Sequence, residues 1–153
     1  MAEYFNNAVQ KVAPNVNVIF TDTAVPCTRG LVRHRDGSGS FLLRGYVPQS
    51  PCGCCAQSAI YLIDFGANIA IPEGGTVGPI SLALAIDGSI IPSSTMIVTP
   101  AAVDEFFNVS RAVNAQIWRG CCETLSVVNT STQDILVQNA NIITSRPDLM
   151  VSR

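Results

Sequence analysis

The sequence predicts an all-β chain, an antiparallel β-sandwich or jelly roll of about ten strands. Three observations predict it. Apolar residues recur with a period of two, turn residues punctuate the chain about every ten positions, and no stretch carries the stripe of an amphipathic helix. In GPISLALAIDG, Ile80, Leu82, Leu84 and Ile86 alternate with Ser81, Ala83 and Ala85, which describes a strand with one bulky face and one crowded face. Asp87-Gly88 then supplies a tight-turn signal.

Upstream, NVNVIFT, RGLVRHR, SFLLRGYV and SAIYLIDF read as four strands. Downstream, SSTMIVTP, VDEFFNVS, RAVNAQIW, ETLSVV and DILVQNANII complete the set, with NTSTQD as the turn before the last. The stretch PAAVDEFF tolerates a turn of helix, but it opens with proline, and Phe106, Phe107 and Val109 continue better as a strand. Nothing divides these strands into two domains. The expected organisation is an N-terminal arm over residues 1–13, a jelly-roll domain over 14–146 and a C-terminal tail over 147–153.

Composition narrows the function classes. Of the 153 residues, 13% are charged, about half the roughly 25% usual in soluble domains, while 48% are hydrophobic. The most apolar stretch, AIYLIDFGANIAIP, is interrupted by Asp64, Gly66 and Asn68, short of the roughly 18 apolar residues of a spanning helix, so no membrane partner is expected. Burial between subunits is the other outlet for the apolar surplus, which predicts an oligomer. The start, MAEYFNNAVQKVAP, has neither a basic nor a continuous apolar segment of the secretory kind, so folding in a cytoplasm is expected. A net charge of −2 offers no broad basic surface, and no nucleic-acid partner is expected. The one basic cluster, Arg29, Arg33, His34, Arg35 and Arg44, straddles DGSGS and reads as a solvated hairpin face.

The sequence shows no catalytic constellation, and no enzyme is expected. His34 is the sole histidine and stands between two arginines, which disfavours a basic imidazole; it reads as an exposed strand residue. Asp64, Asp87, Asp104 and Glu105 fall at different strand ends without a pairing motif, and neither GPISL nor EGGTVG is a phosphate loop. The six cysteines include Cys52, Cys54 and Cys55 in SPCGCCAQSA and the pair Cys121-Cys122 in RGCCET. Their spacings lack paired zinc knuckles, and no helix follows to make a thioredoxin-like pair. Packing thiols, disulfides between clusters meeting at one end of the sandwich, and a metal site remain open, with no metal or cofactor as the expectation. The sequons at Asn108 and Asn129 read as chance matches. Tyr46, Phe65 and Trp118 are the aromatic candidates for a sugar platform, and all three read more simply as core or strand-end residues.

The run IAIPEGGTVGPISLALAIDGSIIPSSTMIVTPAAVDEFFNVS, with RGCCETLSVVNTSTQDILVQNANII after it, resembles small structural proteins of tailed bacteriophages and prophages of Gram-positive anaerobes. It is also similar to the trimeric heads, of the tumour-necrosis-factor and C1q fold, that cap collagen-like surface proteins of such bacteria. The resemblance covers about residues 66 to 146 and brings no catalytic residue with it. The chain has no Gly-X-Y repeats upstream, so the resemblance implies a virion structural protein rather than a surface filament. It points to a homotrimeric capsid decoration protein on the virion, with the major capsid protein or another shell protein as partner. The alternative it implies is a tail-fibre or baseplate head that binds a host surface glycan.

Overall fold

The structure, a computed structural model, describes residues 1–49 and 56–149. The strands are β1 (Ala2–Asn6), β2 (Gln10–Val12), β3 (Asp22–Val25), β4 (Val32–His34), β5 (Phe41–Arg44), β6 (Ser58–Ala70), β7 (Ile80–Ile86), β8 (Ser89–Ile90), β9 (Met96–Val98), β10 (Phe107–Trp118), β11 (Cys122–Asn129) and β12 (Ile135–Ser145). They form two six-stranded sheets with antiparallel neighbours. Sheet I runs β10-β6-β12-β1-β3, with β2 also paired to β12. Sheet II runs β4-β5-β11-β7-β8, with β9 sharing the β7 edge. The predicted sandwich is therefore the observed one.

The core lies between the sheets and is built by alternation. From sheet I, β6 turns Tyr61, Ile63, Phe65, Ala67 and Ile69 inward; from sheet II, β7 contributes Ile80, Leu82 and Leu84, and β11 contributes Leu125 and Val127. All belong to one hydrophobic cluster. Asp87 (φ 47) and Gly88 (φ 79) make the tight turn into β8, the left-handed pair that such hairpins require. Gly45 is needed for a different reason. Its N–H donates to the Cys121 carbonyl at 2.8 Å and its carbonyl accepts from Gly120 N at 3.0 Å, and a Cβ there would fall on the Trp118 carbonyl.

Three strand assignments differ from expectation. Residues 1–13 are not a free arm: β1 lies between β12 and β3, with Ala2, Tyr4 and Asn6 buried, and β2 pairs with β12. The sequence concealed this because polar Glu3 and Asn6 dilute the alternation of a five-residue strand. NVNVIFT makes only isolated bridges, Asn17 to Val128 and Phe20 to Ser38, and the regular strand begins at Asp22. VDEFFNVS and RAVNAQIW fuse into the single strand β10, whose register against β6 is unbroken from Phe107 to Trp118. At the other terminus, Pro147–Leu149 form a short 3₁₀ turn.

Candidate functional site

His34 is held as a structural strap. The half-buried ring stacks on Phe41 with centroids 4.3 Å apart and meets the Tyr4 ring at 5.0 Å. Nδ1 lies 3.0 Å from the Ser40 carbonyl and Nε2 lies 3.1 Å from the Phe20 carbonyl. Each nitrogen faces a backbone carbonyl, to one of which a neutral ring donates, so the half-buried ring is packed against backbone, which corrects the expectation of an exposed strand residue. The surrounding hairpin β4–β5 forms as expected around Gly37. Arg33 and Arg35 are exposed on it, while Arg29 and Arg44 border a separate cavity of ≈ 420 Å³ with Tyr46 and Leu149.

The four carboxylates fall at three separate places, with only the sequence neighbours Asp104 and Glu105 sharing one. Asp64 faces outward from β6 opposite Ala112 and Ile143, and Asp87 occupies the β7–β8 turn. Asp104 and Glu105 lie in the loop before β10, where Glu105 Oε2 accepts from the Ala101 and Ala102 amides at 3.0 and 3.2 Å. Burial, and then the charge of Asp87, raises the pKa of Glu123. An ion pair with a buried guanidinium lies elsewhere. Arg146, 4% exposed, donates from Nε and Nη2 to the two Asp148 carboxylate oxygens at 2.8 and 2.6 Å and from Nη2 to the Tyr46 carbonyl at 2.9 Å. Its guanidinium also covers the Tyr61 ring at 5.0 Å. The hydrogen bonds from Arg146 hold the Asp148 carboxyl below its ordinary pKa, whereas burial raises that of Tyr61, whose hydroxyl donates to the Arg44 carbonyl at 2.6 Å. This cluster ties the chain terminus to β6 and presents no reacting group.

Cys52, Cys54 and Cys55 lie outside the described residues. Cys27 is half-buried and accepts from Val32 N at 3.4 Å, in keeping with a packing thiol. Cys121 and Cys122 are exposed at the start of β11, so packing does not describe them. Among the described residues, no group of three or more His, Cys, Asp or Glu side chains could hold a metal ion. Of the sequons, Asn129 is fully buried and donates to the Val12 and Gln133 carbonyls, both at 2.9 Å, so it is a structural pin of the β11–β12 turn. Asn108 is exposed and bonds Asn68 at 3.1 Å. Phe65 is core at 3% exposure, while Trp118 and Tyr46 are exposed at strand ends.

Two surfaces remain. The outward face of sheet I across β10, β6, β12 and β1 mixes amides and small residues with Ile60, Leu62, Ile143 and Phe5, and among its described residues only Glu3 and Asp64 carry charge. The outward face of sheet II holds a groove of ≈ 580 Å³ that the sequence reading missed. Its floor is every second residue from β11 onward, Thr124, Ser126, Val128 and Thr130; Asn15 and Asn17 wall one side, and Asp87, Gly88 and Ile90 the other. The hydroxyl alternation within ETLSVVNTS was visible in sequence, but nothing local linked it to residues more than a hundred positions earlier.

No protein-family model matches the chain, and no curated protein matches it. Solved structures do. The globular domain of zebrafish complement 1qA protein superposes with a TM-score of 0.58 at 14% identity over 93% of this chain and 94% of its own. The Eiger TNF of S. frugiperda gives 0.57 at 13% identity, covering 95% and 91%, and murine APRIL gives 0.56 at 10%, covering 92% and 97%. At these identities the likeness is one of fold, and the chain has the jelly-roll fold of C1q and tumour-necrosis-factor domains.

Proposed function

We propose that the chain forms a homotrimeric, non-enzymatic head that decorates the capsid of a tailed-bacteriophage virion. It is assembled in the host cytoplasm and docks on the major capsid protein or another shell protein. The carrying observation is the outward face of sheet I. An apolar and amide surface of that extent with so little charge favours burial against other copies, and three copies around one axis close the contact without leaving an open edge. The resemblance of residues 66 to 146 to virion structural proteins supports the shell role, and the packing of His34 against the Ser40 and Phe20 carbonyls, away from any nucleophile, supports a role without catalysis. A trimer placed where shell subunits meet would reinforce the shell through many repeated, individually ordinary contacts.

Light scattering on the purified chain tests the assembly. The expected mass is three times 16.2 kDa at low micromolar concentration, and Leu62→Glu should reduce it to a folded monomer. A wild-type monomer would refute the assignment of the face. Averaged images of intact particles test the location, with trimeric density on the capsid surface as the expected result. A second reading, a tail-fibre or baseplate head that binds a host surface glycan, is favoured by one observation, the polar groove on sheet II.

A further inference from the structure

We propose that the sheet II groove is a binding site for an uncharged polyhydroxylated ligand, a neutral pyranose sugar. The site gives the glycan-binding reading a location and a ligand class, and it rests on that reading only for its biological use. Its volume of ≈ 580 Å³ falls within the roughly 300–1,000 Å³ of small-molecule sites.

Of the hydroxyls and amides lining it, Thr130 Oγ1 is committed, at 2.7 Å from Ser81 Oγ, and the others are free for a ligand. Ser126 lines the groove, and its hydroxyl makes no hydrogen bond among the described residues, which leaves it open to a ligand. The side chains of Asn15, Asn17 and Thr124 likewise make no hydrogen bond among the described residues. Asp87, also in the lining, accepts from the Thr124 amide at Oδ1 at 2.7 Å, and Oδ2 makes no hydrogen bond among the described residues.

Hydroxyls and amides offer both donors and acceptors, and the ligand must do the same. Asp87 is the one charged residue of the lining, so a phosphate or an acidic sugar would meet repulsion with no cation to offset it. Val128 and Ile90 give the apolar contact that the C–H face of a sugar ring needs.

The walls are fixed to the floor before any ligand arrives. Asn15 N donates to the Asn129 carbonyl and Val18 N to the Val127 carbonyl, both at 2.8 Å, while Asp87 N donates to the Thr124 carbonyl at 2.8 Å. Both sides of the groove therefore hang on β11, and little ordering is left for binding to impose. With sheet I packed at the proposed trimer axis, this face points away from it and stays open.

The test is titration of the isotope-labelled full chain with the methyl glycosides of glucose, galactose, mannose and N-acetylglucosamine, with N-acetylneuraminic acid as the anionic control. At least one neutral glycoside should give saturable amide shifts centred on Asn17, Asp87 and Ser126, and the acid should give none there. Asp87→Asn keeps the acceptor for Thr124 N, and Ser126→Ala removes only a hydroxyl. Each should weaken binding about tenfold while the rest of the spectrum is retained. Absence of saturable shifts in the groove with every neutral glycoside, equal shifts with the acid, or full binding by both variants would overturn the site. Sugar binding combined with no adsorption to host cells would instead overturn the receptor reading and leave the site standing.

Discussion

Replacing Ser94 with alanine tests how sheet II tolerates the break between β8 and β9. Both short strands pair with the same edge of β7, and the 3₁₀ turn Pro92–Ser94 separates them. At the gap, Ser94 Oγ accepts from Leu84 N at 2.8 Å and donates to the Ile91 carbonyl at 2.6 Å, with the side chain fully buried. Alanine leaves the Leu84 carbonyl with Ile91 N at 2.9 Å and the Ile91 carbonyl with Ser94 N at 2.9 Å, so the loss falls on one buried N–H. An orphaned buried donor costs about 1–3 kcal/mol. With a urea dependence of about 2 kcal/mol per molar, the unfolding midpoint should fall by roughly 1 M. Melts are compared at one protein concentration, because self-association makes the midpoint concentration-dependent. Ser93→Ala, at the exposed neighbour, should stay within about 0.5 kcal/mol of wild type. An unchanged midpoint for Ser94→Ala, or one equal to that of Ser93→Ala, would refute the hydroxyl's place in the ladder.

Deleting residues 1–13 removes β1 and β2 and with them Tyr4, which packs against Phe41 at 5.0 Å. Loss of one such buried aromatic alone costs about 3–5 kcal/mol, a large share of the roughly 5–15 kcal/mol of a whole domain. The truncated chain should therefore lack a cooperative melt by circular dichroism, and a soluble, cooperatively melting product would show that β1 is dispensable. The Arg146–Asp148 pair predicts an acid effect. Its hydrogen bonds lower the folded pKa of Asp148, so their contribution is fully present above the unfolded carboxyl value near 3.9 and is lost as pH falls through the folded value. Thermal melts should show wild type losing its advantage over Asp148→Asn below about pH 4, and a constant difference across pH would contradict the pairing. Asp148 is 40% exposed, which keeps the effect small.

The sheet II groove and the missed strand show where local pattern stops. Alternation in GPISLALAIDG, the Asp87-Gly88 turn, the hairpin around DGSGS and the NTSTQD turn were legible because each is written within a dozen consecutive residues. Period two places side chains on one face or the other without reference to the rest of the chain. Phe65 as core followed from the same alternation. Partner choice is not written locally. Ala2 pairs with Thr144 across nearly the whole chain, and a five-residue strand containing Glu3 and Asn6 carries too little alternation to announce itself. His34 read as exposed because its sequence neighbours are arginines, but its environment is made by Phe20, Phe41 and Tyr4, from three other segments. Asn129 read as a chance sequon match beside a turn, and its structural role emerged only when the fold brought the Val12 carbonyl within reach of its amide. The sequence by itself determined the β class, the turn positions and the shortage of charge, because these are properties of neighbouring residues and of composition. Only the tertiary structure decided which strands meet, which polar groups they satisfy and that Asn15, Asp87 and Ser126 share one groove, because hydrogen-bond partners distant in sequence are selected by packing the two sheets together.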